Sequence, residues 1–127
     1  MSDSESSLYE RGVAMLKEVY AGEVPDMPKG TLAFNDVMME TIFAGVWERD
    51  VLSIRDRRLL IMGVIAAHGQ TDVWGIQAKT ALKRKELTPD ELRETLIMLA
   101  PYAGYPNVAP LLMKCEEAIQ SMAGDGD

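Results

Sequence analysis

The chain has 127 residues, 47% hydrophobic and 26% charged, which is the balance of one soluble globular domain. Thirteen basic residues against twenty acidic ones leave a formal charge of −7, which argues against nucleic acid or an anionic membrane as partner, since both need a basic surface. A lone cysteine (Cys115) and a lone histidine (His68) exclude an internal disulfide, a dithiol redox cycle and any zinc site built from several such ligands; no metal ligand is singled out, and a carboxylate site for a hard cation stays open.

The start, Met1-Ser2-Asp3-Ser4-Glu5-Ser6-Ser7, is acidic and polar rather than secretory, and no apolar run approaches the ~20 residues of a membrane span. The cytosol is therefore the expected compartment. The first helix is predicted from Leu8 to Tyr20, with Ser7 and Glu10 in capping-box spacing and Leu8, Gly12, Met15, Leu16 and Val19 on one face. Pro25 and Pro28 mark a loop. A second helix is predicted from Thr31 to Val46, and a 3.6-residue period puts Phe34, Val37, Met38, Thr41 and Ile42 inward. Ser53 caps a third, Ile54 to Ala67, which is apolar nearly all round after Arg58 and reads as a central helix buried on most sides.

A fourth helix follows from Thr71 to about Lys85. Thr88-Pro89-Asp90-Glu91 is the strongest start signal in the chain, with a Thr cap, Pro at the first helical position and Glu closing the box. That fifth helix is predicted to reach Ala100, before Tyr102-Ala103-Gly104-Tyr105-Pro106 breaks the pattern. The sixth carries Val108, Leu111, Leu112, Cys115, Ala118, Ile119 and Met122 at helical spacing. No run of strand alternation, repeat or linker intervenes. The expectation is a single all-α domain over 1–127, a bundle of about six helices with 1–7 and 123–127 as loose tails.

Several segments, in order, resemble the carboxymuconolactone decarboxylase family of the alkylhydroperoxidase D-like superfamily. The carrying residues are Val46-Trp47-Glu48-Arg49, Leu52-Ser53, Asp56-Arg57, Ala81-Leu82, Thr88-Pro89-Asp90-Glu91-Leu92 and Tyr102-Ala103-Gly104-Tyr105-Pro106, spread over roughly Phe34 to Ile119. The resemblance implies an all-helical protomer that assembles into trimers or hexamers. It also implies a cytoplasmic lyase that removes carbon dioxide from an anionic lactone or carbonyl acid of aromatic catabolism, without a metal or organic cofactor. Where the family usually has a His four residues before Ala-Leu, this chain has Gln77, which carries no proton at neutral pH. Where the peroxidase branch has its two cysteines it has Gln70 and Val73, which excludes that chemistry, and Arg58 stands where that branch has a Glu.

The catalytic candidates are accordingly Gln77 and Tyr102, as hydrogen-bond donors to a reacting carbonyl, with Glu40 or His68 as proton carriers. Trp47, Arg49 and Arg58 are the substrate-binding candidates, because a guanidinium grips a carboxylate with two parallel hydrogen bonds. Each has a plainer structural reading. Gln77 can be a buried amide satisfied by the backbone, and Trp47 core or subunit interface. Arg49 can pair with Glu48 or Asp50, His68 can be a solvated helix cap, Tyr102 can pack its turn, and Glu40 can be an exposed carboxylate. Cys115, in the middle of an apolar stripe, reads as a small core residue. The alternative to an enzyme is a non-catalytic helical oligomer that binds a small ligand or a protein partner.

Overall fold

A computed structural model describes residues 2–125; the side chains of residues 2–7 and of Asp125 lie outside that description. Every element among the described residues is helical. Helix α1 is Ser2–Tyr20, and α2 (Ala33–Met38) runs on directly as a π-helical segment, Met39–Trp47. Then come α3 (Ile54–Ala67), α4 (Thr71–Lys83), α5 (Pro89–Ala103), the single turn α6 (Tyr105–Val108) and α7 (Leu111–Asp125). No helix among them is long and apolar enough to cross a membrane. The chain divides into two compact units, Met1–Ile54 and Arg55–Asp127.

In the first unit, α1 starts six residues before its predicted beginning, so Ser7 lies inside a helix rather than capping one. The predicted stripe of Leu16 and Val19 is buried, and Gly12 meets the π segment so closely that a Cβ there would stand 2.0 Å from the Met39 carbonyl oxygen. Tyr9 donates its hydroxyl hydrogen bond to the Met27 carbonyl and accepts one from Asn35 Nδ2 at 2.8 Å, which ties α1 to the loop and to α2.

The second predicted helix needs correction in form and in facing. A 3.6-residue period turned Phe34, Val37, Thr41 and Ile42 inward, yet all four are exposed, Phe34 to 82%. The buried residues are Asn35, Met39, Phe43, Ala44 and Trp47. A π-helix closes i→i+5 hydrogen bonds and so holds more residues per turn than an α-helix, and from Met39 onward the facing departs from the one a 3.6-residue period predicts. On the buried side Phe43 stacks on Trp47 (centroids 6.4 Å apart, planes 9° apart) and meets Tyr20 edge-on at 6.1 Å.

The second unit follows its sequence pattern more closely. Thr88 and Glu91 form the reciprocal capping box, with Glu91 N–H donating to Thr88 Oγ1 at 3.1 Å and Thr88 N–H to Glu91 Oε1 at 2.9 Å. Trp74, Ala78, Leu92, Leu96, Leu111 and Cys115 fill the core, in which α4 packs on α7. Burial, with Glu116 nearby, pushes the Cys115 thiol up to about 11. Helix α5 runs three residues past its predicted end and stops at Gly104, whose φ of 95° a side chain would resist. Asn107 then donates its side-chain amide to the carbonyls of Ala103 (2.9 Å) and Ala67 (3.2 Å), fastening the ends of α5 and α3 together.

Helix α3 is buried only along Arg58, Met62 and Ala66; Leu60 and Val64 are exposed, so this chain alone does not surround it as its composition predicted. Leu112, in the predicted stripe of the last helix, is exposed too. Helix α4 ends at Lys83, two residues early, because Lys85 takes a left-handed conformation (φ 60°). Helix α7 continues to Asp125, which places residues 123–125 of the expected tail in a helix; Gly126 and Asp127 lie outside the described residues.

Candidate functional site

Helix α3 carries Arg55 and Arg58 one turn apart, which places both on the same side of the helix. Arg58 is 1% exposed, and a guanidinium taken out of water requires a counter-charge and hydrogen-bond acceptors. Two neighbours supply them. The left-handed turn at Lys85 ends α4 and delivers Glu86, whose carboxylate accepts from Arg58 Nε at 2.5 Å and from Nη2 at 3.2 Å. Helix α4 contributes Gln77, 3% exposed, whose Oε1 accepts from Arg58 Nη1 at 2.7 Å.

Two further arginines converge on Glu86. Arg84 Nε donates to Glu86 Oε2 at 2.6 Å, and Arg55 Nε donates to the Glu86 backbone carbonyl at 2.9 Å. Arg55 also lies 3.6 Å from Asp56 and 3.9 Å from Glu91, both on the exposed side. It lines the mouth of a cavity of about 370 Å³ between α3 and α5, whose walls are mostly Leu59, Met62, Leu87, Met98 and Leu99. Arg55 thus joins the buried polar network to an apolar recess within the same unit.

The chemistry of the network follows from its donors and acceptors. A guanidinium has only N–H groups to offer, so Gln77 must present its oxygen to Arg58, and its NH₂ group becomes the donor end of the amide. Donation into the amide oxygen draws electron density from the nitrogen and strengthens that donor, as in any chain of polarised hydrogen bonds. Gln77 is therefore an oriented, polarised donor held in a low-dielectric surround.

Gln77 and Arg58 are the site candidates that the fold brings into contact, although the guanidinium expected to grip a substrate carboxylate is engaged by Glu86. In the same unit His68 is exposed just past the end of α3, and Tyr102 is 82% exposed near the end of α5. In the other unit Trp47 is buried in its aromatic stack, and Arg49 is exposed with its backbone N–H on the Val46 carbonyl. Glu48 is bound by Arg11 at 2.5 Å, and Glu40 pairs with Lys29 at 3.0 Å. Among the described residues no three His, Cys, Asp or Glu side chains gather as metal ligands would.

Sequence reasoning marked Arg55 as part of a basic cluster with Arg57 and Arg58 but passed over Glu86 and Arg84. A signal was present: Glu86 is the lone acidic residue between Asp72 and Asp90, set directly after Lys83-Arg84-Lys85. An arginine on a helix otherwise apolar needs a partner of that kind.

The comparison with known families decides the kinship. The carboxymuconolactone decarboxylase family model matches residues 33–113, well over half of the chain. This chain belongs to the carboxymuconolactone decarboxylase family. Its helical elements agree with the all-α, alkylhydroperoxidase D-like fold of that family. It is similar to nitrosuccinic acid decarboxylase npaB of Metarhizium robertsii, at 24% identity over 125 residues covering 94% of this chain and 87% of the relative. No solved structure matches. The matched region contains Arg58 together with Gln77 and Glu86, each of which accepts a hydrogen bond from it.

Proposed function

We propose that this chain is a decarboxylase of the carboxymuconolactone decarboxylase type, acting on a small acid whose carboxylate is attached to carbon activated by a carbonyl, lactone or nitro group. The observation that carries this reading is the 2.7 Å contact between Arg58 and Gln77. The resemblance puts Gln77 where the family usually has a His and Arg58 where the peroxidase branch has a Glu, and in this chain the two side chains touch.

In the proposed reaction the bond between the α-carbon and the carboxylate breaks and carbon dioxide leaves. The electron pair passes onto the oxygen of the activating group, and a proton from water then returns to carbon. The electron pair stays on the substrate, so no external oxidant is required. The NH₂ group of Gln77 donates to the oxygen on which charge develops, an interaction that strengthens toward the transition state. Arg55 at the apolar recess is suited to hold a second anionic group of the acid.

The test is turnover of 4-carboxymuconolactone and of nitrosuccinic acid, followed by ultraviolet absorbance and carbon dioxide release, by wild type and Gln77→Ala. Wild-type turnover that falls by about 100-fold or more in Gln77→Ala at an unchanged Tm supports the reading. Silence of the wild type on both acids at high enzyme concentration removes it. A second reading, a non-catalytic ligand-binding protein, is favoured by the near-complete enclosure of Arg58 and its engagement by Glu86. That reading takes over if the acids stabilise the protein against heat but are not consumed.

We also propose that the chain self-associates as a trimer or hexamer. Phe34, Leu60, Val64, Tyr102 and Tyr105 are all exposed, and apolar surface of this kind is normally covered in an assembly. Sedimentation of wild type against Leu60→Asp measures this directly: a smaller species in the variant supports it, and a monomeric wild type ends it.

A further inference from the structure

We propose that Glu86 is a positioning residue for Gln77, acting through Arg58. This rests on the reading of Gln77 as the donor in the proposed decarboxylation. A guanidinium on a flexible stem fixes the direction of one N–H only if its others are held. Here Glu86 takes Nε and Nη2 at 2.5 and 3.2 Å, so the third edge of the planar fork, Nη1, is aimed at Gln77 Oε1 at 2.7 Å.

Burial strengthens each link. Arg58 and Gln77 are almost wholly enclosed, and the Glu86 side chain is 6% exposed, so water competes little for any of the three. The ordered sequence carboxylate, guanidinium, amide oxygen passes polarisation in one direction, and its last member is the amide N–H. Glu86 is itself fixed from two other sides: Arg84 Nε reaches the carboxylate oxygen Oε2, and Arg55 Nε reaches its main-chain carbonyl. An ion pair whose sole role was to neutralise Arg58 would need none of the alignment toward Gln77. This arrangement also accounts for Arg rather than Lys at position 58, since an ammonium cannot hold a carboxylate with two parallel bonds and an amide with a third edge.

Arg84 supplies a comparison, because it bonds the same carboxylate through Oε2, whereas Arg58 bonds both carboxylate oxygens and Gln77. The experiment compares wild type, Glu86→Gln and Arg84→Gln by Tm, by kcat and KM on whichever acid is turned over, and by the NMR signals of the Gln77 side-chain NH₂. In Glu86→Gln we expect those signals to shift and to exchange faster with solvent, and kcat to fall by about 10- to 100-fold with KM little changed. In Arg84→Gln we expect a lower Tm with the Gln77 signals in place. If Glu86→Gln does not fold, Glu86→Asp, which keeps the charge but withdraws the carboxylate by one methylene, is read in the same way. Gln77 signals that stay at their wild-type positions in a Glu86 variant would overturn the proposal, as would equal shifts in Arg84→Gln. The NMR signals do not depend on turnover. An inert wild type whose Gln77 signals respond to Glu86 therefore removes the decarboxylase reading while leaving the positioning role in place.

Discussion

The two units of this chain keep their hydrophobic residues in different registers. From Arg55 onward, ordinary helices with a full capping box bury Leu92, Leu96, Leu111 and Cys115 where a 3.6-residue period puts them. Before Ile54, the longest apolar stretch is π-helical, and it buries Met39, Phe43, Ala44 and Trp47 while Thr41 and Ile42, which a 3.6-residue period turned inward, are exposed. Amphipathic patterning thus states how much of a segment is apolar, but which face turns inward depends on the residues per turn. In the first unit that number is set by tertiary packing, because Gly12 admits the Met39 carbonyl directly against α1.

The register difference can be broken most severely at Phe43. Phe43→Ala removes a buried ring that contacts Tyr20 and Trp47, and chemical denaturation should show a loss of about 3–5 kcal/mol. Gly12→Ala comes next: its new methyl would meet backbone rather than a side chain able to move aside, so a loss of about 3 kcal/mol is expected. In the second unit, Cys115 titrates near 11 in the folded protein against 9.0 for an unburied thiol. Its neutral form is thus favoured by folding. That stabilisation is complete below pH 9 and lost by about pH 11, on the order of 2–3 kcal/mol. Cys115→Ala should flatten the fall in stability over that interval relative to wild type.

Thr88→Ala removes one arm of the capping box and should lower stability by about 1 kcal/mol. The smallest effect sharpens the contrast most. Phe34→Ala should leave monomer stability within about 0.5 kcal/mol, because that ring is exposed. A loss comparable to that of Phe43→Ala would mean that the first unit follows the α-helical register after all.

Much of the fold was legible. The helical class, the capped start of α5, the break at Gly104 and the core stripe of α7 all rest on local rules that act within one or two turns. The π segment was not legible, since nothing in Met39 to Trp47 forbids an ordinary helix. The exposed side of α3 was misread because an apolar composition does not say which faces of a helix its own chain covers.

For the candidate site, Gln77 and Arg58 could be marked by resemblance, and the structure puts them in contact. Glu86 could not be marked in that way. Its role depends on a left-handed turn at Lys85, a residue type that gives little warning of such a conformation. Tyr102 and His68 were chosen for their chemistry alone, and chemistry does not fix exposure.

The π segment also bears on how this chain is aligned with its kin. A wide turn arises when a helix absorbs one extra residue without giving up its ends, here the Asn35 contact with Tyr9 and the stacked Trp47. A relative that spans the same distance with ordinary helical turns has one residue fewer there. Its alignment to this chain requires a gap between positions 39 and 47, and a gapless comparison pairs the buried residues of one protein with the exposed residues of the other.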